Sequence, residues 1–155
     1  MAKKHKKSRK PILCLDFDGV LHSYTSGWQG ARVISDLPVE GTQPFLIEAL
    51  MHFDVQIYSA RSAQWGGRRA MKRWLKQALY GYFQTIEGFK HWDFNTAGFG
   101  THDEEALHQT KLILEQIKFP LTKPPASVTI DDRAWCFNGV FPNIEALKEF
   151  EPWNK

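Results

Sequence analysis

At 155 residues, 43% of them hydrophobic and 14% aromatic, the chain has the length and apolar content of one ordinary domain and no room for a second full one. No stretch nears the roughly 20 apolar residues of a bilayer span, the polybasic start lacks a secretory apolar run, and two cysteines exclude a disulfide framework or a cysteine zinc site. The formal charge of +3 hides an asymmetry, because Lys3, Lys4, Lys6, Lys7, Arg9 and Lys10 leave only 14 basic against 17 acidic residues elsewhere.

Residues 1–10 therefore read as a disordered basic tail and 11–155 as one folded unit, expected to be soluble and cytoplasmic. The tail is either a solubilising terminus or an electrostatic arm for nucleic acid. Residues 11–15, ending in Ile12-Leu13-Cys14-Leu15, form a continuous apolar run before acidic residues and Gly19, the pattern of a central parallel strand. Residues 23–40, with Gly27-Trp28-Gln29-Gly30 near their start, suggest a short surface hairpin. Thr42 reads as an N-cap and Pro44 as first-turn proline of a crossover helix carrying Phe45, Leu46, Ala49 and Leu50.

Val55-Gln56-Ile57-Tyr58-Ser59 reads as a second strand. The next helix sets Ala70, Met71, Trp74, Leu75, Ala78 and Leu79 on one side and Arg68, Arg69, Lys72, Arg73 and Lys76 on the other. Residues 81–100, rich in glycine and aromatics, carry no periodic signal and read as an irregular insertion. Thr101 looks like an N-cap, with Asp103, Glu104 and Glu105 opposing the helix dipole ahead of Leu107, Leu112, Ile113 and Leu114. An extended piece is expected at 117–119, a buried strand at Val128-Thr129-Ile130 and an edge strand at 134–137. Cys14 and Cys136 thus fall in strand-like apolar runs, where a buried free thiol is the usual occupant. Strands alternating with helices argue for an α/β fold, a Rossmann-like central parallel sheet with helices on both faces.

In such a sheet ligands bind beyond the carboxyl ends of the strands. There the first strand delivers Asp16-Phe17-Asp18-Gly19, the second Ser59-Ala60-Arg61, and the third Asp131-Asp132, with Lys123 just upstream of the third. Four carboxylates and a lysine, far apart in sequence, are expected to converge.

The run Ile12-Leu13-Cys14-Leu15-Asp16-Phe17-Asp18-Gly19-Val20-Leu21 resembles the first motif of the haloacid dehalogenase superfamily, a hydrophobic strand followed by Asp-x-Asp-Gly. Ile57-Tyr58-Ser59 is similar to its second motif, Lys123 to its third-motif lysine, and Val128 to Asp132 to its acidic fourth motif; Lys111 and Lys118 are the alternatives for the lysine. The resemblance implies a small capless phosphatase using magnesium. Asp16 would be the nucleophile that becomes phosphorylated, and Asp18 the general acid and base. Asp16, the Asp18 carbonyl and Asp131 would hold the ion, while Asp132 orients Lys123 or a metal-held water. Ser59, Ala60 and the Phe17 amide would meet phosphoryl oxygens, with Lys123 adding positive charge.

Two residues stay open: Arg61 contacts phosphate or substrate or makes a surface or interdomain ion pair, and His22 points into the site or packs at the base of the hairpin. An open site suits a nucleotide, a nucleic-acid end or another small phosphate ester. The rival is a non-catalytic nucleic-acid-binding protein on the same scaffold.

Overall fold

Strand β1 (Ile12–Leu15) has no polar side chain, and it lies in the middle of the sheet, where Leu13, Cys14 and Leu15 are buried. The structure, a computed structural model, describes residues 9–85 and 101–154. On either side of β1 run β2 (Asp54–Ile57) and β3 (Val128–Ile130), both parallel to it, so that Leu13 stands opposite Val55 and Val128. The helices are α1 (Thr42–His52), α2 (Gly67–Phe83), α3 (His102–Gln116) and α4 (Ile144–Lys148). α1 packs on β2 and α2, and α2 packs on α3. This is a mixed α/β architecture with a small parallel sheet, compatible with a Rossmann-like fold, and no cap domain stands among the described residues. No helix among them is long and apolar enough to cross a membrane.

The core joins Leu13, Leu15 and Phe17 to Leu46 and Leu50 of α1, Val55 and Ile57 of β2, and Met71, Trp74, Leu75 and Leu79 of α2. The apolar stripe expected on α2 is buried, and its five basic residues are exposed. Thr101 caps α3 through a complete capping box, its side chain accepting from the Glu104 amide while Glu104 accepts from the Thr101 amide at 2.8 Å. At α1 the cap is instead Gly41, in a left-handed conformation, and Thr42 is the first helical residue, its hydroxyl donating to the Leu21 carbonyl at 3.3 Å. The extended piece at 117–119 pairs with β2: the Ile57 amide donates to Lys118 O at 2.8 Å and the Lys118 amide to Val55 O at 3.1 Å.

Several expectations are corrected. Residues 23–40 are not a hairpin. Only their base is paired, through Ser23 N to Leu37 O and Val39 N to Leu21 O, and the remainder is an irregular flap with Tyr24, Gly27 and Gly30 at positive φ. Its carbonyls bond to a side chain instead of a ladder, as described below. Strand β3 is exposed rather than buried, and residues 134–137 do not form the expected further strand beside it. Cys136 is accordingly exposed, while Cys14 is buried. Leu107 is half-exposed because the inward stripe of α3 runs through Ala106, Gln109, Thr110 and Leu114. α2 continues to Phe83, into the stretch expected to be irregular, whose residues 86–100 lie outside the described ones. Lys10 Nζ donates to Leu50 O near the carboxyl end of α1.

Candidate active site

The carboxyl ends of β1 and β3 are stitched one residue past the strands, by the Asp16 amide donating to Ile130 O at 2.9 Å. This sets Asp16 beside the residues that follow β3. Carboxylate oxygens of Asp16, Asp131 and Asp132 all lie within 4.8 Å of one another. Burial, then repulsion from Asp131, Asp132 and Asp18, pushes the Asp16 carboxyl up to about 7, against the opposing bond from the Phe17 amide at 2.7 Å. The Asp132 side chain is fully buried, and among the described residues its oxygens have no hydrogen-bond partner at close range, Arg133 Nε lying 3.7 Å from Oδ2. Burial raises its pKa as well.

Gly19 explains how Asp132 fits. A Cβ at Gly19 would lie 2.3 Å from Asp132 Oδ2, and the backbone there has φ +85°. Asp-x-Asp-Gly thus has its glycine where a side chain from another segment must enter. The two buried oxygens of Asp132 beside two more carboxylates make a group of oxygen donors that could hold a metal ion. The trio differs from the expected ligands by including the Asp132 side chain.

Asp16 and Asp131, but not Asp132, line a cavity of about 260 Å3 together with Asp18, Ser59, Ala60 and Lys123, with Cys14 also in its wall. Ser59 is buried, and its oxygen accepts from the Arg61 amide at 3.3 Å, so its own hydroxyl proton remains available to a ligand. Lys123 is the lysine of the cavity. Lys118 pairs with Asp54 at 2.7 Å, and Lys111 lies on α3 near Glu115. The Phe17 side chain is fully buried, stacked on His22 and edge-on to Trp74, so only its backbone faces the site, and that amide is taken by Asp16.

Asp18 lines the cavity but is clamped from behind. Arg61 Nε donates to its Oδ2 at 2.7 Å, and His22 Nδ1 lies 2.9 Å from its Oδ1. The Asp36 amide donates to His22 Nε2 at 3.1 Å, which makes that nitrogen the acceptor and assigns the proton to Nδ1, facing Asp18. Although burial opposes it, hydrogen bonds from His22 and Arg61 hold the Asp18 carboxyl below its ordinary value. Arg61 is itself fully buried: Nη1 donates to the carbonyls of Gly30, Ala31 and Val33 in the flap, and the guanidinium lies 4.7 Å from the Trp28 ring centre. Its Nη2 alone lacks a partner among the described residues. Of the open alternatives, the geometry makes Arg61 the tie between Asp18 and the flap, and His22 a packed, buried bridge from Asp18 to Asp36.

Sequence reasoning missed the aromatic wall. Tyr24, Trp28 and Tyr58 line the cavity with Arg133, which stands 5.7 Å over Tyr24. It also missed Trp153, whose Nε1 donates to Gly19 O at 2.7 Å. The excess of aromatics around Gly27 was the signal for the wall; nothing local marked Trp153. Comparison with family models, curated proteins and solved structures found no match.

Proposed function

We propose that this chain is a magnesium-dependent phosphomonoester hydrolase that works through an aspartyl-phosphate on Asp16. The observation that carries the reading is the buried carboxylate of Asp132 clustered with Asp16 and Asp131, the last two lining one cavity with Ser59 and Lys123. Asp16, Asp131 and Asp132 would hold magnesium, which supplies the positive charge that lets an anionic carboxylate approach an anionic phosphate. Lys123 and the Ser59 hydroxyl take phosphoryl oxygens.

An Asp16 oxygen attacks phosphorus and the ester P–O bond breaks, the leaving oxygen departing with the bonding pair as an alkoxide or aryloxide that takes a proton from solvent, and the phosphoryl group stays on Asp16. Water then attacks the same phosphorus, giving inorganic phosphate and restoring the carboxylate. Asp18, kept ionised by Arg61 and His22, suits removal of the proton from that water. Protonating the leaving oxygen is harder for a carboxylate held so, and the enzyme should favour esters whose alcohol departs readily as an anion. A series of aryl and alkyl phosphates tests this. Phosphate release that requires magnesium, stops with chelator and falls steeply from aryl to alkyl esters is expected; metal-independent release, or none from any ester, would defeat the reading.

A further inference from the structure

A second groove, of about 850 Å3, shares the flap and the segment after β2 with the first cavity. Its lining includes Arg32 from the flap, Trp65 from the loop, and Arg68, Arg69 and Arg73 from α2, and it includes no carboxylate. Four guanidinium groups therefore face one space without a compensating charge. Among the described residues none of the four forms an ion pair; Arg68 makes one long bond, 3.4 Å, to Phe119 O. Like charges at this density repel unless an anion joins them.

The groove is also shaped for more than charge. Trp65 is 81% exposed, an unusual position for so large an apolar ring, and the Arg32 guanidinium lies 4.8 Å from its centre. Arg32 reaches it by crossing directly over Gly66, where a Cβ would lie 2.7 Å from Arg32 Cδ. Gly67 next to it lets α2 begin against Arg61, because a Cβ there would meet the Arg61 carbonyl at 2.1 Å. The same loop thus carries Ser59 and Ala60 into the first cavity and Trp65 into the groove.

We infer that this groove binds single-stranded nucleic acid, arginines on successive phosphates and a base stacked on Trp65, leading a phosphorylated strand end toward Asp16. A positively charged channel with an exposed aromatic platform is the combination that recognises a strand whose bases are unpaired. The delivery of a terminal phosphate rests on the hydrolase reading; the binding does not.

The test uses the full-length chain in chelator, so that no turnover is needed, with labelled oligo(dT), oligo(U), an abasic strand of equal length and inorganic polyphosphate titrated across a salt series. Replacing Arg68, Arg69 and Arg73 together by Gln should weaken oligo(dT) binding at least about tenfold and lower the salt slope by roughly 2, at about 0.7 per phosphate contact. The basic tail is present in both proteins and cancels in the comparison. Trp65→Ala should weaken oligo(dT) binding about tenfold and leave the abasic strand unaffected. Comparing oligo(U) with oligo(dT) assigns the strand to RNA or DNA. Unchanged affinity and slope in the triple variant, with its melting temperature preserved, would overturn the site. Polyphosphate binding as tightly as oligo(dT), with Trp65→Ala silent, would overturn the nucleic-acid assignment. Magnesium-dependent hydrolysis of an aryl phosphate, measured on the same proteins, separates failure of the groove from failure of the hydrolase reading.

Discussion

Burial and neighbouring carboxylates disfavour an ionised Asp16, and a proton or a bound cation relieves that conflict. With its carboxyl raised to about 7 by burial and by neighbouring carboxylates, it is a poor nucleophile in the metal-free protein at neutral pH. Asp16→Asn keeps the shape and removes one of the clustered charges. It should lower aryl phosphate turnover about a thousandfold or more while raising the metal-free melting temperature, a pairing that a merely structural aspartate would not give. Steady-state kinetics and thermal melts of the two proteins check both halves. Gly19 is the second decisive residue. Gly19→Ala sets a Cβ against Asp132 at a positive φ, so the variant should lose the stabilisation that magnesium gives the parent, as read by melts with and without the ion.

At the scale of elements, Arg61 is where loop, flap and strand end meet. Arg61→Met removes one partner from a buried ion pair, leaving Asp18 with His22 alone and three flap carbonyls without their donor. It should cost roughly 3–5 kcal/mol in urea unfolding, and Arg61→Lys should not restore the loss, because an ammonium lacks the fork that serves both sides. An ion pair at Arg61 was one of the alternatives read from the chain, but its partners were not, since Asp18 lies 43 residues away and the flap acceptors are backbone carbonyls 28 to 31 residues away. What was legible had a period or a local signature. The apolar run of β1, the stripe of α2 and the Thr101 cap each announce themselves within a few residues. The exposure of β3 did not, because a short apolar run reads the same in the middle of a sheet as at its edge. The three acidic and polar strand ends were readable for the same local reason, and Lys123 was separable from Lys111 and Lys118 only once their ion pairs were placed.

For the molecule as a whole, the carboxylate cluster makes stability depend on pH in a definite sense. A carboxyl whose folded value lies above its ordinary 3.8 adds stability at low pH and gives it up as the pH rises through the folded value, here about 7 for Asp16. Asp132 acts in the same direction. Asp18, held low, does the opposite, its contribution being present above 3.8 and lost on further acidification. The metal-free protein should therefore lose stability between about pH 4 and 7, by at most roughly 4 kcal/mol from Asp16 at about 1.4 kcal/mol per tenfold in proton concentration. Magnesium should restore it most at the upper end of that window. Denaturant melts across the range, with chelator and with magnesium, measure both effects. The claim on which all of this turns is a covalent phosphoryl group on Asp16. Acid quenching of Asp18→Asn during turnover of an aryl phosphate, followed by peptide mass spectrometry, tests it directly. The expected result is a phosphoryl adduct on the peptide carrying Asp16, absent when Asp16→Asn is added; phosphate release with no adduct on that peptide would contradict the account.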